Sequence, residues 1–234
     1  MVGSFSNAPT AKGGAVVQLR DAITLLGNFP ALAGADLAVA ESEIVLLEGP
    51  NGAGKSTLLR LCAGLASLHR GSGTVLGADL ATRRGRREVR RRVGLLGHQT
   101  ALYDDLTVEQ NIQFWARANR SEGVDIEPAM ERLGLADRLR TVPVSGLSAG
   151  QRRRTAMAVI VCRRPRLWLL DEPHAGLDRA GRDLIDGLIV DAAAAGATIM
   201  LSSHEIERAA GLATRVVTIA GGRVHEALGG LDAS

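Results

Sequence analysis

Aromatic residues are scarce in this chain of 234 residues, which contains three Phe, two Trp and one Tyr. Stacking of aromatic rings on bases is a principal means of binding single-stranded nucleic acid, and this composition argues against it as the main function. Only two cysteines are present, Cys62 and Cys162. A disulfide-held secreted scaffold is therefore excluded, and a reducing, intracellular setting fits the sequence.

Long apolar runs and a large charge imbalance are also missing. No stretch approaches the roughly 18 consecutive apolar residues that a membrane-spanning helix needs. The first 15 residues are rich in Gly, Ser, Pro and Asn, so we expect a flexible tail there rather than a secretory signal. Apolar residues make up 46% of the chain and charged residues 23%, with a net charge of +3, which is typical of a globular protein.

Lysine is nearly absent as well. It occurs only at positions 12 and 55, and the remaining 26 of the 28 basic residues are Arg. A lysine kept at position 55 in such a chain indicates a site that needs a compact ammonium rather than a planar guanidinium.

Short apolar runs alternate with helical patterns along the chain. This alternation predicts an α/β fold around a mainly parallel sheet. Strands are predicted at 16–19, 37–39, 44–48, 74–76, 93–96, 166–171 and 198–203, with a terminal hairpin at 215–225. Helices are predicted at 56–65, 107–117 and 181–195, the second opened by a capping box of Thr107 and Gln110. Residues 101–160 lack strand signals and are expected to form a helical insertion.

A glycine-rich loop follows the apolar run at 44–48. Its residues are Gly49, Pro50, Asn51, Gly52, Ala53, Gly54, Lys55 and Ser56, which matches the phosphate-binding pattern G-x-x-x-x-G-K-S between a strand and a helix. Glycines let backbone N–H groups approach a phosphate, and the helix N-terminus adds positive potential. Lys55 is expected to reach the β- and γ-phosphates, Ser56 to bind Mg²⁺, and Thr57 to contact the α-phosphate side.

Two acids and a histidine follow later strands. Asp171 ends the 166–171 run and suits contact with Mg²⁺, while Glu172 lies at the same edge, where an attacking water would stand in line with the γ-phosphate. His204 follows the next strand and is a candidate sensor of the γ-phosphate. The motifs to this point do not separate a kinase, a GTPase, a helicase or a transporter motor.

The order of motifs resembles the nucleotide-binding subunit of an ATP-binding cassette (ABC) transporter. The specific element is the signature segment Leu147–Gln151 (Leu-Ser-Ala-Gly-Gln), which lies between the phosphate loop and the acids. The resemblance covers residues from about 16 to 226. It implies a single ABC ATPase domain over 16–234, with a catalytic core and β-subdomain at 16–100 and 161–226 and a helical subdomain at 101–160.

The resemblance assigns roles to further residues. Gln99 is similar to the residue that touches Mg²⁺ and its water, and Glu172 and His204 to the catalytic carboxylate and switch histidine. Two chains are expected to join head to tail around two Mg-ATP. In that dimer the partner's nucleotide is expected at the signature residues Ser148, Gly150 and Gln151, and Asp178 crosses the interface.

Three positions depart from the family pattern, one of them Ser42 in place of a glycine before Glu43. Ala149 replaces the usual glycine of the signature segment, a small change. Leu26 stands where the family often has an aromatic residue that stacks on adenine, so the base is expected against Phe29 or against aliphatic surface.

Finer details are similar to the ATP-binding subunit of the haem exporter used in cytochrome c maturation. They are Gly97-His98-Gln99 and the signature segment. An exporter ATPase for drugs, lipids or another small substrate is the alternative. A soluble ABC-type ATPase acting on nucleic acid or ribosomes would use the Arg83–Arg92 run, but the chain lacks the long coiled-coil insertion or second cassette of such proteins.

The resemblance also implies a partner and a location. The subunit is expected on the inner face of the cell membrane, bound to an integral membrane permease and making no direct contact with nucleic acid. Tyr103, Phe114 and Trp115 lie just after Gln99, where the family receives a coupling helix of the permease. These aromatics form either that contact or the core of the helical insertion.

Overall fold

The computed structural model describes residues 15–118 and 126–226. Its strands are β1 (Val17–Leu26), β2 (Phe29–Val39), β3 (Ile44–Glu48), β4 (Arg70–Val75), β5 (Ala78–Asp79), β6 (Val93–Leu96), β7 (Leu167–Asp171), β8 (Thr198–Ser202), β9 (Arg215–Ala220) and β10 (Arg223–Glu226). Its α-helices are α1 (Lys55–Cys62), α2 (Arg83–Arg92), α3 (Val108–Ala118), α4 (Glu127–Arg132), α5 (Ala149–Arg163), α6 (Arg179–Ala194) and α7 (Ile206–Leu212). The predicted 1–15 tail lies, but for Ala15, outside the described residues.

The central sheet has the strand order β10-β9-β3-β8-β7-β6. Neighbouring strands from β9 to β6 pair in parallel, and β10 adds an antiparallel edge through the predicted hairpin. The predicted α/β fold with a mainly parallel sheet is therefore confirmed. Since parallel strands point the same way, the loops that follow β3, β6, β7 and β8 emerge at one edge of the sheet.

Both faces of this sheet are covered, which explains why its strands read as continuous apolar runs. Alternate residues of β7 enter different cores: Leu167 and Leu169 pack with α1 and the second sheet, and Trp168 and Leu170 pack with the helices of the opposite layer. Packing on both faces therefore holds the strands in place, and with them the loops that leave their carboxyl ends.

The second sheet is antiparallel, with the order β2-β1-β4-β5. Its first two strands are much longer than the predicted segments 16–19 and 37–39, because a tight turn with Gly27 at φ 60° joins them directly. The prediction for β2 was too short since its Ala- and Gly-rich residues carry a weak strand signal, and the one for β1 because Arg20 and Asp21 interrupt its apolar pattern. The sheet meets the hairpin where Ala33 N donates to Gly222 O at 2.8 Å.

The segment from 101 to 160 is helical within its described residues. It contains α3, α4, two 3₁₀ turns and most of α5, and its described β-pairing is one isolated bridge between Thr107 and Pro143. The predicted capping box opens α3: Gln110 N donates to Thr107 Oγ1 at 3.2 Å, and Thr107 N donates to Gln110 Oε1 at 2.9 Å. The boundaries of a helical subdomain at 101–160 stay a prediction, and α5 continues to Arg163.

The arginine run forms α2, a helix that the sequence analysis did not predict. Three of its arginines hold neighbouring loops: Arg86 donates to Leu80 O, Arg90 to Gly64 O and Arg92 to Leu76 O. The side chains of Arg83, Arg84, Arg87 and Arg91 are exposed. Part of the run is thus structural rather than a free charged face.

Within 15–118 and 126–226, no helix combines the length and apolar character needed to cross a bilayer.

Two substitutions on α6 test the packing. Leu188 is buried in the core and Val190 is exposed on the same helix. We expect Leu188→Ala to lower the free energy of unfolding by about 2–5 kcal/mol through lost burial and a cavity. Val190→Ala should change it by less than about 0.5 kcal/mol. Urea unfolding at unchanged m-value measures both, and an equal loss in the two variants would contradict the assigned faces.

Candidate active site

Four loops converge at the carboxyl edge of the central sheet around a cavity of about 300 Å³. They follow β3, β6, β7 and β8, strands whose sequence positions span more than a hundred residues. The cavity is lined by residues 51–57 of the phosphate loop, Leu26, Ala31, His98, Asp171, Glu172 and His204. The loop, both acids and the histidine that the sequence singled out therefore lie together.

The phosphate loop is tightly curled. Lys55 Nζ donates back to Gly49 O at 2.6 Å and to Pro50 O at 3.1 Å, which places the ammonium against the loop. Gly49 has φ 140°, and a Cβ on it would lie 2.0 Å from Ile219 O. Any side chain at position 49 would therefore push the loop away from β9.

The N-terminus of α1 is open. Its N-cap residue, Gly54, has φ 113° and offers no side chain to the first N–H groups. A Cβ at Gly54 would lie 2.6 Å from Ala31 O, so only glycine fits between the two sheets here. Free N–H groups at a helix start favour an anionic ligand, which suits a phosphate group. Ser56 is exposed at this end and Thr57 is buried.

Asp171 is held at the end of β7. Its Oδ1 accepts a hydrogen bond from Ser202 Oγ at 2.7 Å, and the residue is largely buried. The contact joins β7 to β8, and Ser202 was not predicted as a site residue. A serine at a strand end carries no signal in the sequence that distinguishes it from others.

Glu172 adopts a left-handed backbone conformation, φ 54°, which costs a residue with a Cβ about 1–2 kcal/mol. Its N–H donates to Ser202 O at 3.1 Å. Its carboxylate faces His204: Oε2 accepts the His204 backbone N–H at 2.9 Å, and Oε1 lies 3.5 Å from His204 Nε2. The acid and the histidine thus form one unit at the cavity.

A buried arginine lies behind the acids, and the sequence analysis missed it. Arg153 on α5 is 4% exposed. It donates through Nη1 to Gly97 O at 2.8 Å and through Nη2 to Asp171 O at 2.6 Å and to Glu172 O. Burial lowers the pKa of its guanidinium, and the charges of Asp171 and Glu172 oppose that shift. Within the triplet 152–154 no sequence signal separates it from its neighbours.

The signature segment lies outside this cavity. Ser148 forms a capping box with Gln151: Gln151 N donates to Ser148 Oγ at 3.2 Å, and Ser148 N donates to Gln151 Oε1 at 2.8 Å. A Cβ on Gly150 would lie 2.9 Å from Gly176 O, so this segment packs tightly on the loop that follows the acids. Asp178 ends that loop as the N-cap of α6, accepting from Gly181 N at 2.8 Å.

Two further predicted residues also lie beyond the lining. Gln99 is exposed on the loop after β6, whereas its neighbour His98 lines the cavity. Phe29 is 79% exposed at the start of β2 and does not line it. At that end the lining is supplied by Leu26 and Ala31, so a base there would meet aliphatic surface.

Comparisons with known proteins agree with this geometry. A family model described as "ABC transporter" matches residues 32–175. The chain belongs to the ABC transporter family. It is 36% identical over 202 residues to the cytochrome c biogenesis ATP-binding export protein CcmA of Bradyrhizobium diazoefficiens, covering 86% of this chain and 96% of that protein. It is 40% identical over 209 residues to the cobalt import ATP-binding protein CbiO of Rhodobacter capsulatus, covering 85% and 72%.

Solved structures show the same fold. An ATP-binding subunit of an ABC transporter superposes with a TM-score of 0.84 at 27% identity, covering 93% of this chain and 90% of the other. The dimeric, post-hydrolysis state of the cassette MJ0796 bound to ADP and Pi gives 0.81 at 23% identity, covering 92% and 100%. This protein is the ATP-binding, ATP-hydrolysing subunit of an ABC transporter.

Replacing Lys55 tests the phosphate loop. Lys55→Ala removes the one ammonium in the described cavity lining, and we expect ATP affinity or turnover to fall by about 100-fold or more, since charge stabilisation by such groups carries that weight. Arg60→Ala, an exposed charge on the same helix, is the control and should bind ATP normally. Binding is measured by isothermal titration with Mg-ATP. Turnover is measured by phosphate release, and equal affinity together with equal turnover in the two variants would refute the assigned role.

Proposed function

We propose that two copies of this chain close head to tail around two Mg-ATP and drive a separate membrane permease. The observation that carries this is the position of the signature segment: its residues lie outside the cavity of their own chain. The start of α5, where Ser148 is the N-cap and bonds Gln151 N, is proposed as a second anion site that another copy's γ-phosphate would use. The dimeric cassette MJ0796, which shares the fold, supports this arrangement.

The donor set of the cavity suits Mg²⁺. The Ser56 hydroxyl and the Asp171 carboxylate line the same cavity, and Gln99 lies on a loop beside it with an amide oxygen to offer. Oxygen ligands of these kinds are those that Mg²⁺ prefers. Bound there, Mg²⁺ would offset the charge of the phosphate oxygens during transfer.

Glu172 and His204 are assigned to the hydrolysis step. Glu172 accepts a proton from, or orients, the attacking water, because its carboxylate lines the cavity beside the phosphate loop. The 2.9 Å bond from His204 N to Glu172 Oε2 holds the carboxylate in one orientation. The imidazole of His204, whose Nε2 lies 3.5 Å from Glu172 Oε1, is proposed to contact the γ-phosphate and to respond to its loss. Asp178 is proposed to cross the dimer interface, and adenine to rest on Leu26 and Ala31.

The permease is proposed to dock on an aromatic cluster after the Gln99 loop. Tyr103 lies 4.9 Å from Phe114 in an edge-to-face arrangement and 6.1 Å from Trp115 in a stacked one, measured between ring centroids. Trp115 packs against the core, whereas Tyr103 and Phe114 are 47% and 42% exposed. The cluster therefore fills part of the core and presents an apolar surface. Tyr and Trp side chains are enriched among the residues that carry the binding energy at partner interfaces.

Haem export for cytochrome c biogenesis is the proposed transport process. It rests on the similarity to the CcmA protein over 86% of this chain and on Gly97-His98-Gln99 with the signature segment. Cobalt import is the second candidate, because the CbiO protein matches at 40% identity. On the first proposal the chain acts at the inner face of the cell membrane. The transported group is expected to cross within the permease, so none of this chain's His or Cys side chains is expected to bind it.

Replacing Glu172 tests the motor. Glu172→Gln keeps the shape of the side chain and removes its charge, so we expect turnover to fall by about 100-fold or more while Mg-ATP binding remains. ATP should then hold two chains together, which light scattering after size exclusion measures. Glu207→Gln, an exposed glutamate on α7, should behave as the unaltered chain. Normal hydrolysis by Glu172→Gln would refute the assignment.

Co-purification tests the partner and the substrate. Glu172→Gln with Mg-ATP, recovered from detergent-solubilised membranes of the host, should bring an integral membrane subunit and cytochrome c maturation proteins, read by mass spectrometry. Adding Tyr103→Ala should lose them, whereas adding Val190→Ala, an exposed apolar residue on α6, should not. Recovery of a different permease would overturn haem export. Recovery of nucleic-acid-binding partners alone, with no permease, would overturn the role in transport.

A further inference from the structure

A buried and a partly buried arginine, Arg153 and Arg163, lie at opposite ends of α5. Arg153 is near its start, and Arg163 is its last residue. Arg163 Nη2 donates to Val93 O at 3.1 Å, at the beginning of β6, whereas Arg153 Nη1 donates to Gly97 O, just after β6 ends. The helix thus runs along β6, with one guanidinium at each end of the strand. Burial lowers the pKa of both side chains.

The two arginines differ in what else they hold. Arg163 Nη2 reaches the strand end far from the cavity. Arg153 Nη2 reaches the carbonyl oxygens of Asp171 and Glu172, the two acids of the site. One guanidinium therefore joins the helix behind the signature segment, the start of the Gln99 loop and the peptide groups of both acids.

The backbone of Glu172 needs such a contact. At φ 54° it lies in a region that residues with a Cβ seldom occupy, and it stays there only if the surroundings hold it. On the N-terminal side its N–H is fixed by Ser202 O. On the C-terminal side its carbonyl oxygen accepts from Arg153 Nη2 and from Ala175 N, the latter at 3.1 Å.

We propose that Arg153 is the positioning residue of Glu172. Its guanidinium fixes the left-handed peptide that directs the Glu172 carboxylate into the cavity. It also links the position of that peptide to α5 and to the loop that carries Gln99. This rests on the proposed role of Glu172 in hydrolysis. A shift of α5 or of the Gln99 loop then moves the carbonyl oxygen of Glu172 directly. Movements of α5 on dimer closure and of the Gln99 loop on permease docking are thereby transmitted to the carboxylate beside the reacting water through one side chain.

Hydrogen exchange of the purified full chain tests the positioning without any need for turnover. Arg153→Gln should speed amide exchange in peptides covering 171–177, where Ala175 N and Glu172 N are bonded, by about tenfold or more relative to the unaltered chain, as local opening becomes easier. Arg163→Gln, which removes a partly buried guanidinium from the same helix, should leave those peptides unchanged and affect 93–96. Equal exchange of 171–177 in both variants would overturn the proposal.

Kinetics provide the second measurement. Arg153→Gln should lower kcat for ATP hydrolysis by about 100-fold, the scale expected for misplacing a reacting group by about 1 Å, with KM changed less than about threefold because the phosphate loop is untouched. Arg153→Lys, which keeps a charged donor, should recover part of kcat. Arg163→Gln should keep kcat even if its melting temperature falls as far. A rise in KM with kcat unchanged, or no recovery of kcat in Arg153→Lys, would contradict the positioning role.

A double variant separates this proposal from the proposed function. If Arg153 acts through Glu172, adding Arg153→Gln to Glu172→Gln should cause little further loss of kcat, since both changes remove the same contribution. Independent, multiplying losses would overturn the positioning role. Full activity of Glu172→Gln alone would refute the catalytic assignment of Glu172, and the exchange comparison would still decide whether Arg153 holds its backbone.

Discussion

The parallel pairing of β3, β8, β7 and β6 is the constraint on which the rest of the structure depends. It fixes the direction of four strands, so the segments that follow them end at one edge although they are far apart in sequence. The phosphate loop follows β3, Asp171 ends β7 with Glu172 directly after it, and His204 lies just after β8. Each has a strand to hold it, and the two apolar cores on either face hold the strands.

Much of the site could be predicted because its signals are local. The phosphate loop has a fixed spacing and Asp171 ends an apolar run. Outside the site, the capping box of α3 is likewise recognisable from the four residues 107–110. The fold class followed from the alternation of apolar runs and helices. Features that depend on distant partners were missed: the full lengths of β1 and β2, which pairing stabilises, and α2, whose arginines bond to loops outside the helix.

The arginine-rich composition looks uniform in the sequence and is divided by the fold into different tasks. Arg86, Arg90 and Arg92 hold carbonyl groups of surface loops, Arg163 holds the start of β6, and Arg153 holds the acids. A planar guanidinium suits this work because its several N–H donors reach more than one carbonyl at once. Which arginine does which task depends on burial and on partners far along the chain, and neither is visible in a run of identical letters.

Because Gly150 packs closely on Gly176, the signature segment and the loop after the acids are expected to move as one rigid unit. A methyl group at position 150 would stand 2.9 Å from Gly176 O and 3.4 Å from Leu177 Cδ2. Sequence drift at this position is therefore limited from within the chain, by the neighbouring loop. Glycine would be retained at position 150 even in a descendant that had lost its nucleotide, for as long as α5 and α6 keep their present spacing.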